Sequence, residues 1–290
     1  MTKRARLLGY YWGRQFRDPG ARAARVPQII WLIDHHPGLA VLGSPYAAVN
    51  RATETLDWAK ADSAWQAQLR RHPHDASVLG NVAAHDKNSG EYGRAEMIYR
   101  DAETQQPTDE RWPESLGQLY LLEGIPSRSS SSDLSARALI EFERSYRLSS
   151  GPTKVGKLPT LAKTAFLADD MTKARRYAQL ALASSPENWN RGNAIHDGHM
   201  VLGRVLLRSG DVRGAERELK AAGTTPGSPQ LNSFGPNMSL ANDLLVRGSK
   251  DAVLVYFDEC AVFWKDRRLA QWRADVVAGR TPTFGGNLVY

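Results

Sequence analysis

The chain has 290 residues, of which 42% are hydrophobic and 24% are charged, with a formal net charge of +7. This length and apolar content allow a substantial buried core. No run approaches the roughly 18 consecutive apolar residues of a membrane span, and the start of the chain has no uninterrupted apolar stretch typical of a secretory signal. The composition therefore predicts a cytoplasmic protein without a membrane span.

Nearly all of the net charge lies in the first 25 residues, where seven basic residues and one acidic residue give +6. The aromatic residues Tyr10, Tyr11, Trp12 and Phe16 lie among these basic residues. Such a segment could bind nucleic acid, but no nucleic-acid fold signature accompanies it. The favoured interpretation is a capping segment over 1–41, whose first helix covers the end of the fold with its aromatic side and turns its arginines to water.

The next predicted element is a helix within 21–35 that ends before Pro37, with Ile29, Ile30 and Trp31 on its apolar side. Pro27 could delay its start, because proline is best tolerated in the first turn of a helix. A weak helix is predicted within 42–56 and a firm one within 57–73. Histidines just before Pro37 and Pro73 are expected to cap helix C-termini, where free carbonyl groups accept hydrogen bonds.

A spacing of 34 residues then separates equivalent positions: Ala61 from Ala95, and Pro73 from Pro107. A period of this length indicates stacked helix pairs, in which small residues mark close helix crossings. The same frame fits a third set at Ala174, Ala178 and Pro186.

The clearest unit, 76–109, breaks at Ser89-Gly90 into two predicted helices. It resembles the tetratricopeptide repeat family, which places small or apolar residues at fixed core positions and proline near the end of each unit. Asp86 is the one residue that departs from this pattern, because the family places a small or apolar residue at its position. The matching residues are Leu79, Val82, Ala83, Ala95, Tyr99, Ala102 and Pro107.

Later units follow the same frame. A unit beginning at Glu110 is interrupted by a serine-rich insertion near 126–133. A plain solvated loop is favoured there over a phosphorylation site. Ser132 or Asp133 is predicted to cap the next helix. Further units are predicted near 155–188 and 196–229, followed by a shorter one. Cys260 is the single cysteine of the sequence, which excludes an internal disulfide. Its apolar neighbours in the sequence predict that it is buried and unreactive.

The sequence thus predicts an all-α, right-handed superhelical array of about five or six helix pairs over 42–266, with a covering helix and tail over 267–290. The apolar end of the tail, Phe284, Leu288, Val289 and Tyr290, is expected to pack back on the final helices.

The histidines that could take part in chemistry are His196 and His199, which lie three residues apart on one predicted helix with Asp197 between them. Such a pair could bind a metal ion with a third ligand. A metal-assisted enzyme or small-molecule binder centred on these residues is the alternative to a scaffold. Two polar residues lining a groove are favoured, so that no catalytic residue, metal or other cofactor is predicted.

The resemblance implies a noncatalytic scaffold or adaptor that binds a protein or peptide on its concave side. Some family members clamp a carboxylate with five residues; Asn50, Asn81 and Arg111 match three of them, while Tyr46 and Ser115 replace expected cations. Solvated groove residues are therefore favoured over a working clamp of that type. The expected partner is a protein or peptide, and the mildly cationic groove suits one with acidic or C-terminal carboxylate groups. The residues placed along the groove are Asn50, Asn81, Lys87, Arg111, Gln118, Lys163, Arg204 and Arg208.

Overall fold

A computed structural model describes residues 3–124, 131–184 and 188–288, and every regular element in these ranges is a helix. The chain forms two compact units, Met1–Pro126 and Ser127–Tyr290. In each unit, successive helices joined by short turns pack side by side, which confirms the prediction of an all-α helical repeat. Among the described helices, none combines the length and the apolar character that crossing a bilayer requires.

The first unit contains six described α-helices and a core formed by residues such as Leu8, Ile33, Trp65 and Val82. Helices adjacent in sequence form the packed pairs α1 with α2, α4 with α5, and α5 with α6. The helices are α1 (Lys3–Arg14), α2 (Pro19–His35), α3 (Thr55–Arg71), α4 (Ala76–Asn88), α5 (Tyr92–Gln105) and α6 (Arg111–Gly124).

Helix α2 begins earlier than Pro27, which the structure places inside the helix. The Asp18 side chain accepts a hydrogen bond from the Gly20 N–H, and Pro19 occupies the first helical position, where its missing N–H costs nothing. At the other end, His35 Nδ1 lies 2.8 Å from the carbonyl oxygen of Trp31, which fits the predicted capping role.

The predicted helix within 42–56 is wrong. This stretch contains two short 3-10 turns, Ala40–Gly43 and Pro45–Ala47, followed by an extended segment. The guanidinium group of Arg25 explains the difference, because it donates hydrogen bonds to the carbonyl oxygens of Tyr46 and Ala48 that an α-helix would use internally.

The basic N-terminal segment only partly follows its prediction. Helix α1 buries Ala5 and Leu8, whereas Tyr10 is half exposed and Phe16 is 73% exposed, so the aromatic side does not fully cover the fold. Nor are all the arginine side chains of the first 25 residues exposed to solvent. The guanidinium of Arg4 lies 4.3 Å from the centre of the Trp31 ring, and Arg25 is buried.

The second unit contains ten described helices. Its neighbouring helices α9, α10, α11 and α12 pack in sequence order, as a repeat requires. They are α7 (Ser131–Leu148), α8 (Gly151–Gly156), α9 (Leu158–Leu167), α10 (Met171–Ala183), α11 (Arg191–Arg208), α12 (Val212–Gly223), α13 (Pro229–Phe234), α14 (Ser239–Val246), α15 (Lys250–Cys260) and α16 (Arg267–Val277).

Several predicted features of this unit fall near or outside the described residues. Helix α7 begins at Ser131, so Ser132 and Asp133 lie inside its first turn, and the prediction that one of them precedes the helix as its cap is wrong. The rest of the serine-rich insertion, and Pro186, lie outside the described residues. The boundary between the two units falls within that insertion, while the predicted domain limits 1–41, 42–266 and 267–290 remain predictions.

The tail packs back on the second unit at Phe284, which is only 3% exposed. Its ring meets Trp272 edge to face at 5.1 Å between centroids and also contacts Phe257. This part of the prediction is confirmed. Leu288 is partly exposed, and Val289 and Tyr290 lie outside the described residues.

Cys260 is completely buried on α15, and burial raises the pKa of its thiol far above the usual range. Because the thiolate is the reactive form, we expect iodoacetamide to leave the native chain unmodified at pH 8 and to add one carbamidomethyl group after unfolding in urea. Mass spectrometry of both samples tests this. Rapid labelling of the native chain would contradict the burial of Cys260.

Candidate functional site

The first unit contains a cavity of about 390 Å³ between α4, the start of α6 and the turn at Ala40–Gly43. We call it the N-terminal pocket. Helix α4 contributes positions 77, 80, 84 and 87, whose spacing of three and four residues places them on one face. The remaining side chains that define it are Asn81, Tyr99, Arg111, Trp112 and Ser115.

Lys87 is the exceptional side chain of this pocket. It is partly buried, and within the described part of the chain it makes no hydrogen bond and lies in no ion pair. Burial lowers the pKa of its ammonium group. A partly desolvated cation with no counter-charge gains more from an added carboxylate than a lysine that already has an acidic partner.

Arg111 is the second cation of the pocket, and it is fixed by Asp109. Its Nη2 lies 2.6 Å from Asp109 Oδ2 and its Nε lies 3.0 Å from Asp109 Oδ1. These hydrogen bonds raise the pKa of Arg111 and lower that of Asp109. The guanidinium also lies 5.4 Å from the Trp112 ring centre, so it is held at the mouth of the pocket while most of its side chain stays exposed.

Tyr99 and Ser115 form the inner polar surface of the N-terminal pocket. Burial raises the pKa of Tyr99 to about 12, although a side-chain hydrogen bond with Ser115 opposes this increase. The Tyr99 hydroxyl therefore stays protonated at neutral pH. It can donate or accept a hydrogen bond, but it cannot act as a phenolate base.

Three other predicted groove residues of the first unit have local roles. Asn81 lines the N-terminal pocket, but its Nδ2 donates to the carbonyl oxygens of Pro37 and Leu39 and so fixes the preceding turn. Asn50 lies in a turn before α3, where its Oδ1 accepts from the N–H groups of Ala52 and Thr53; its placement on a helix is wrong. Gln118 is exposed on α6 and donates to Glu114.

The second unit has its own cavity, of about 600 Å³, which we call the C-terminal pocket. Helices α9 and α11 form one side, and the loop around α13 and the tail turn at 286–287 form the other. Its lining combines polar side chains with apolar surface and includes one exposed aromatic ring, that of Phe234. The residues that define it are Lys163, Asn193, His196, Asp197, Gln230, Phe234, Asn237, Arg268 and Asn287.

A chain of hydrogen bonds runs inward from the C-terminal pocket. Lys163 Nζ donates to Asp197 Oδ2 at 2.9 Å, and Asp197 Oδ1 lies 3.1 Å from His196 Nδ1. His196 Nε2 lies 3.1 Å from the Tyr256 hydroxyl, which donates to the carbonyl oxygen of Asn237. The chain joins α9 and α11 to α15 and holds the Asn237 loop in place.

Asp197 is ionised in this chain. Burial alone would raise the pKa of its carboxyl group, but the ammonium of Lys163 and the hydrogen bond to His196 outweigh burial and hold the pKa well below its usual range. The charge of Lys163 is thus largely matched by a carboxylate inside the protein, which reduces its attraction for an external anion.

The two histidines of the alternative metal-site hypothesis have different partners. His196 is buried and bonded to Asp197 and Tyr256, whereas His199 Nδ1 lies 2.7 Å from Glu218 Oε2 on α12. The two imidazole rings therefore lie in separate hydrogen-bonding environments. The ring of His196 links α11 to α15, and that of His199 links α11 to α12.

Arg204 and Arg208 lie together over the ring of Phe166, with guanidinium carbons 4.3 Å and 5.4 Å from its centre. Both are also paired with carboxylates: Arg204 Nε lies 3.1 Å from Asp243 Oδ2, and Arg208 bonds to Asp169. They line a separate cavity of about 360 Å³ with Val246 and Arg247.

Sequence reasoning missed the loop side of the C-terminal pocket. Phe234, which is largely exposed, and Asn237 come from a glycine- and proline-rich connection without helical periodicity, and Arg268 lies on the covering helix. Nothing in their spacing indicates that they face α11. Only the three-dimensional return of the tail, where Asn287 Nδ2 donates to the carbonyl oxygen of Pro236, brings these segments together.

No family model matches the chain, and no curated protein matches it either. Among solved structures, the chain is similar to YrrB, described as a TPR protein with an unusual peptide-binding site. The two sequences are 17% identical, and the match covers 73% of this chain and 97% of the other, with a TM-score of 0.44. The packed helix pairs of this chain themselves define it as an all-α helical repeat.

Proposed function

We propose that the protein is a noncatalytic scaffold that binds a segment of another protein, and that the N-terminal pocket receives a carboxylate group of that segment. The observation that carries the proposal is Lys87, a partly buried cation without an acidic partner in the described part of the chain. A carboxylate entering the pocket would supply the missing charge, and Arg111 at the mouth could bind its second oxygen.

The other predicted groove cations favour this choice by contrast. Lys163, Arg204 and Arg208 each have a carboxylate of the same unit within hydrogen-bonding distance. An incoming anion there would compete with an existing partner, whereas at Lys87 it would not. We propose that these three residues contact polar groups of a partner bound to the second unit, and that Asn50 and Gln118 separately do so in the first unit, in neither case selecting for charge.

The test is affinity selection from a synthetic library of nonapeptides, made once with free C-terminal carboxylates and once as C-terminal amides. The intact chain and a Lys87→Met variant are compared, and mass spectrometry identifies the retained peptides. We expect the intact chain to retain peptides with free or side-chain carboxylates, and the variant to bind them at least about tenfold more weakly, equivalent to about 1.4 kcal/mol.

The matched control is Lys60→Met, which removes an exposed lysine on α3 outside the pocket and should leave the affinities unchanged. Circular dichroism of all three proteins verifies equal helix content. The proposal fails if the library yields no carboxylate-dependent ligand, or if Lys87→Met retains the same peptides with the same affinity as the intact chain.

A further inference from the structure

Two helices of the first unit, α3 and α4, bring two carboxylates and an imidazole close together. Asp62 comes from α3, and the consecutive residues His85 and Asp86 come from α4. One potential ligand atom from each residue lies within 4.8 Å of those of the other two. His85 Nε2 is 3.8 Å from Asp62 Oδ1. Ligand atoms bonded at about 2.0–2.2 Å to one tetrahedral ion lie roughly 3.3–3.6 Å apart, so a bound ion would draw the three groups closer together.

The inner two groups lack the hydrogen bonds that buried polar groups normally have. Asp86 is completely buried, and neither of its carboxylate oxygens makes a hydrogen bond; His85 is 7% exposed, and its Nε2 also makes none. Buried polar atoms almost always make hydrogen bonds, so the lack of any at these three atoms is consistent with a place for a further ligand.

Arg94 of α5 lies beside this point. Its Nη2 is 2.7 Å from Asp62 Oδ1 and 2.9 Å from Asp86 Oδ1, although the contact to Asp86 lacks the alignment of a hydrogen bond. About one third of the Arg94 side chain is exposed, and Asp62 is partly exposed on the same side. The guanidinium can therefore swing into solvent and leave a path to the cluster.

We propose that Asp62, His85 and Asp86 bind a divalent first-row transition metal ion of the zinc class, and that the guanidinium of Arg94 takes its place in the metal-free protein. Imidazole and carboxylate together are ligands that zinc accepts, with water completing four-fold coordination. A divalent ion would neutralise both carboxylates, whereas Arg94 supplies a single charge. Burial also lowers the pKa of His85 to about 4, which keeps its ring neutral at pH 7.

This cluster is separate from the N-terminal pocket. From α4 the pocket is lined by positions 76, 77, 80, 81, 84 and 87, so the pocket and the cluster share no residue, although His85 lies one helical turn after Asn81. Metal binding and peptide binding can therefore be tested independently.

Trp58 provides a reporter of occupancy. Its ring stacks on His85 with centroids 5.9 Å apart and planes inclined by 13°, and its Nε1 donates to Ser89 Oγ. Co²⁺ bound at His85 should quench the fluorescence of this tryptophan. A Trp58→Phe variant should lose most of the Co²⁺-dependent quenching while it still binds the ion.

The decisive experiment titrates the full chain, stripped of metal with a chelator, with ZnCl₂ by calorimetry and with CoCl₂ by visible absorption. We expect one ion per chain and a rise in melting temperature of about 5 °C at a hundredfold excess over the dissociation constant. Asp86→Asn and His85→Gln should each weaken binding by at least about tenfold, since each removes one ligand.

Two further variants make the test specific. Arg94→Met keeps all three ligands and removes the competing guanidinium, so we expect tighter Zn²⁺ binding than in the intact chain. His199→Gln alters the histidine pair of the second unit and should leave the affinity unchanged. The proposal is overturned if neither the intact chain nor Arg94→Met binds Zn²⁺ or Co²⁺, or if His199→Gln abolishes binding while His85→Gln does not.

Discussion

The substitution Gly192→Ala should lower the free energy of unfolding by about 3 kcal/mol, at the upper end of the usual cost of overpacking. A Cβ atom at this position of α11 would overlap the carbonyl group of Gly227. Rotation of a side chain cannot relieve this overlap, because the atoms of Gly227 that the Cβ would meet belong to the main chain. The loop cannot move away freely either, since Thr225 Oγ1 donates a hydrogen bond to the Gly192 carbonyl oxygen and Gly227 has a left-handed φ of 78°.

The same substitution should also damage the C-terminal pocket. Asn193 follows Gly192 on α11, and its side chain is hydrogen-bonded to Ser228 and Gln230 of the loop that alanine would displace. Urea unfolding followed by circular dichroism measures the loss of stability. The matched control is Gly93→Ala in α5, where an added Cβ meets no atom within 4 Å and alanine should stabilise by up to about 1 kcal/mol. Equal effects of the two variants would contradict this account.

The helix pairs could be predicted because their cause is local. Ala95, Tyr99 and Ala102 repeat at steps of four and three residues, and all three are buried as the 34-residue frame predicts. Ala174 and Ala178 are likewise buried on α10. Small residues at these positions allow close helix packing, so both the repeat and the core follow from spacing alone.

The polar contacts could be predicted less well, because their partners come from distant parts of the sequence. Lys163 is predicted to line the groove, and this stays a prediction; its pairing with Asp197 joins residues 34 positions apart and has no signal in the sequence. Arg204 and Arg208 meet Asp243 and Asp169 across 39 positions each. Periodicity identifies the face of a helix that a cation occupies, whereas the acidic residue that neutralises it is known only after the helices are packed.

One sequence signal was present but its meaning was not evident. Asp86 was the mismatch in the best-matching unit, a carboxylate where the repeat frame places a small or apolar residue. A buried charge at such a position requires compensation, and the structure shows Arg94, Asp62 and His85 around it. Their convergence depends on the packing of three helices, so the sequence could indicate that Asp86 is unusual without indicating its neighbours.

The second large effect is expected at Arg25, where Arg25→Met should destabilise the first unit by about 3 kcal/mol. Arg25 is 1% exposed, and its Nη1 donates to the carbonyl oxygens of Tyr46 and Ala48 at 3.1 Å and 2.7 Å. Its Nη2 lies 3.4 Å from the carboxylate of Glu54, which is itself buried. Methionine fills a similar volume but leaves both carbonyl groups without the Arg25 hydrogen bonds, and it leaves the Glu54 carboxylate with the Asn50 N–H and the half-exposed Arg22 in place of a buried cation.

A double variant separates charge from packing. If the loss of the buried counter-charge to Glu54 causes the destabilisation, Arg25→Met with Glu54→Gln should be more stable than Arg25→Met alone when measured by urea unfolding. A double variant less stable than the single one would instead indicate that the hydrogen bonds to the turn dominate. Arg6→Met, an exposed change on α1, should remain within about 0.5 kcal/mol of the intact chain. A large effect at Arg25 beside a negligible one at Arg6 would mean that part of the basic N-terminal charge serves the fold, which weakens the case for this segment as a nucleic-acid surface.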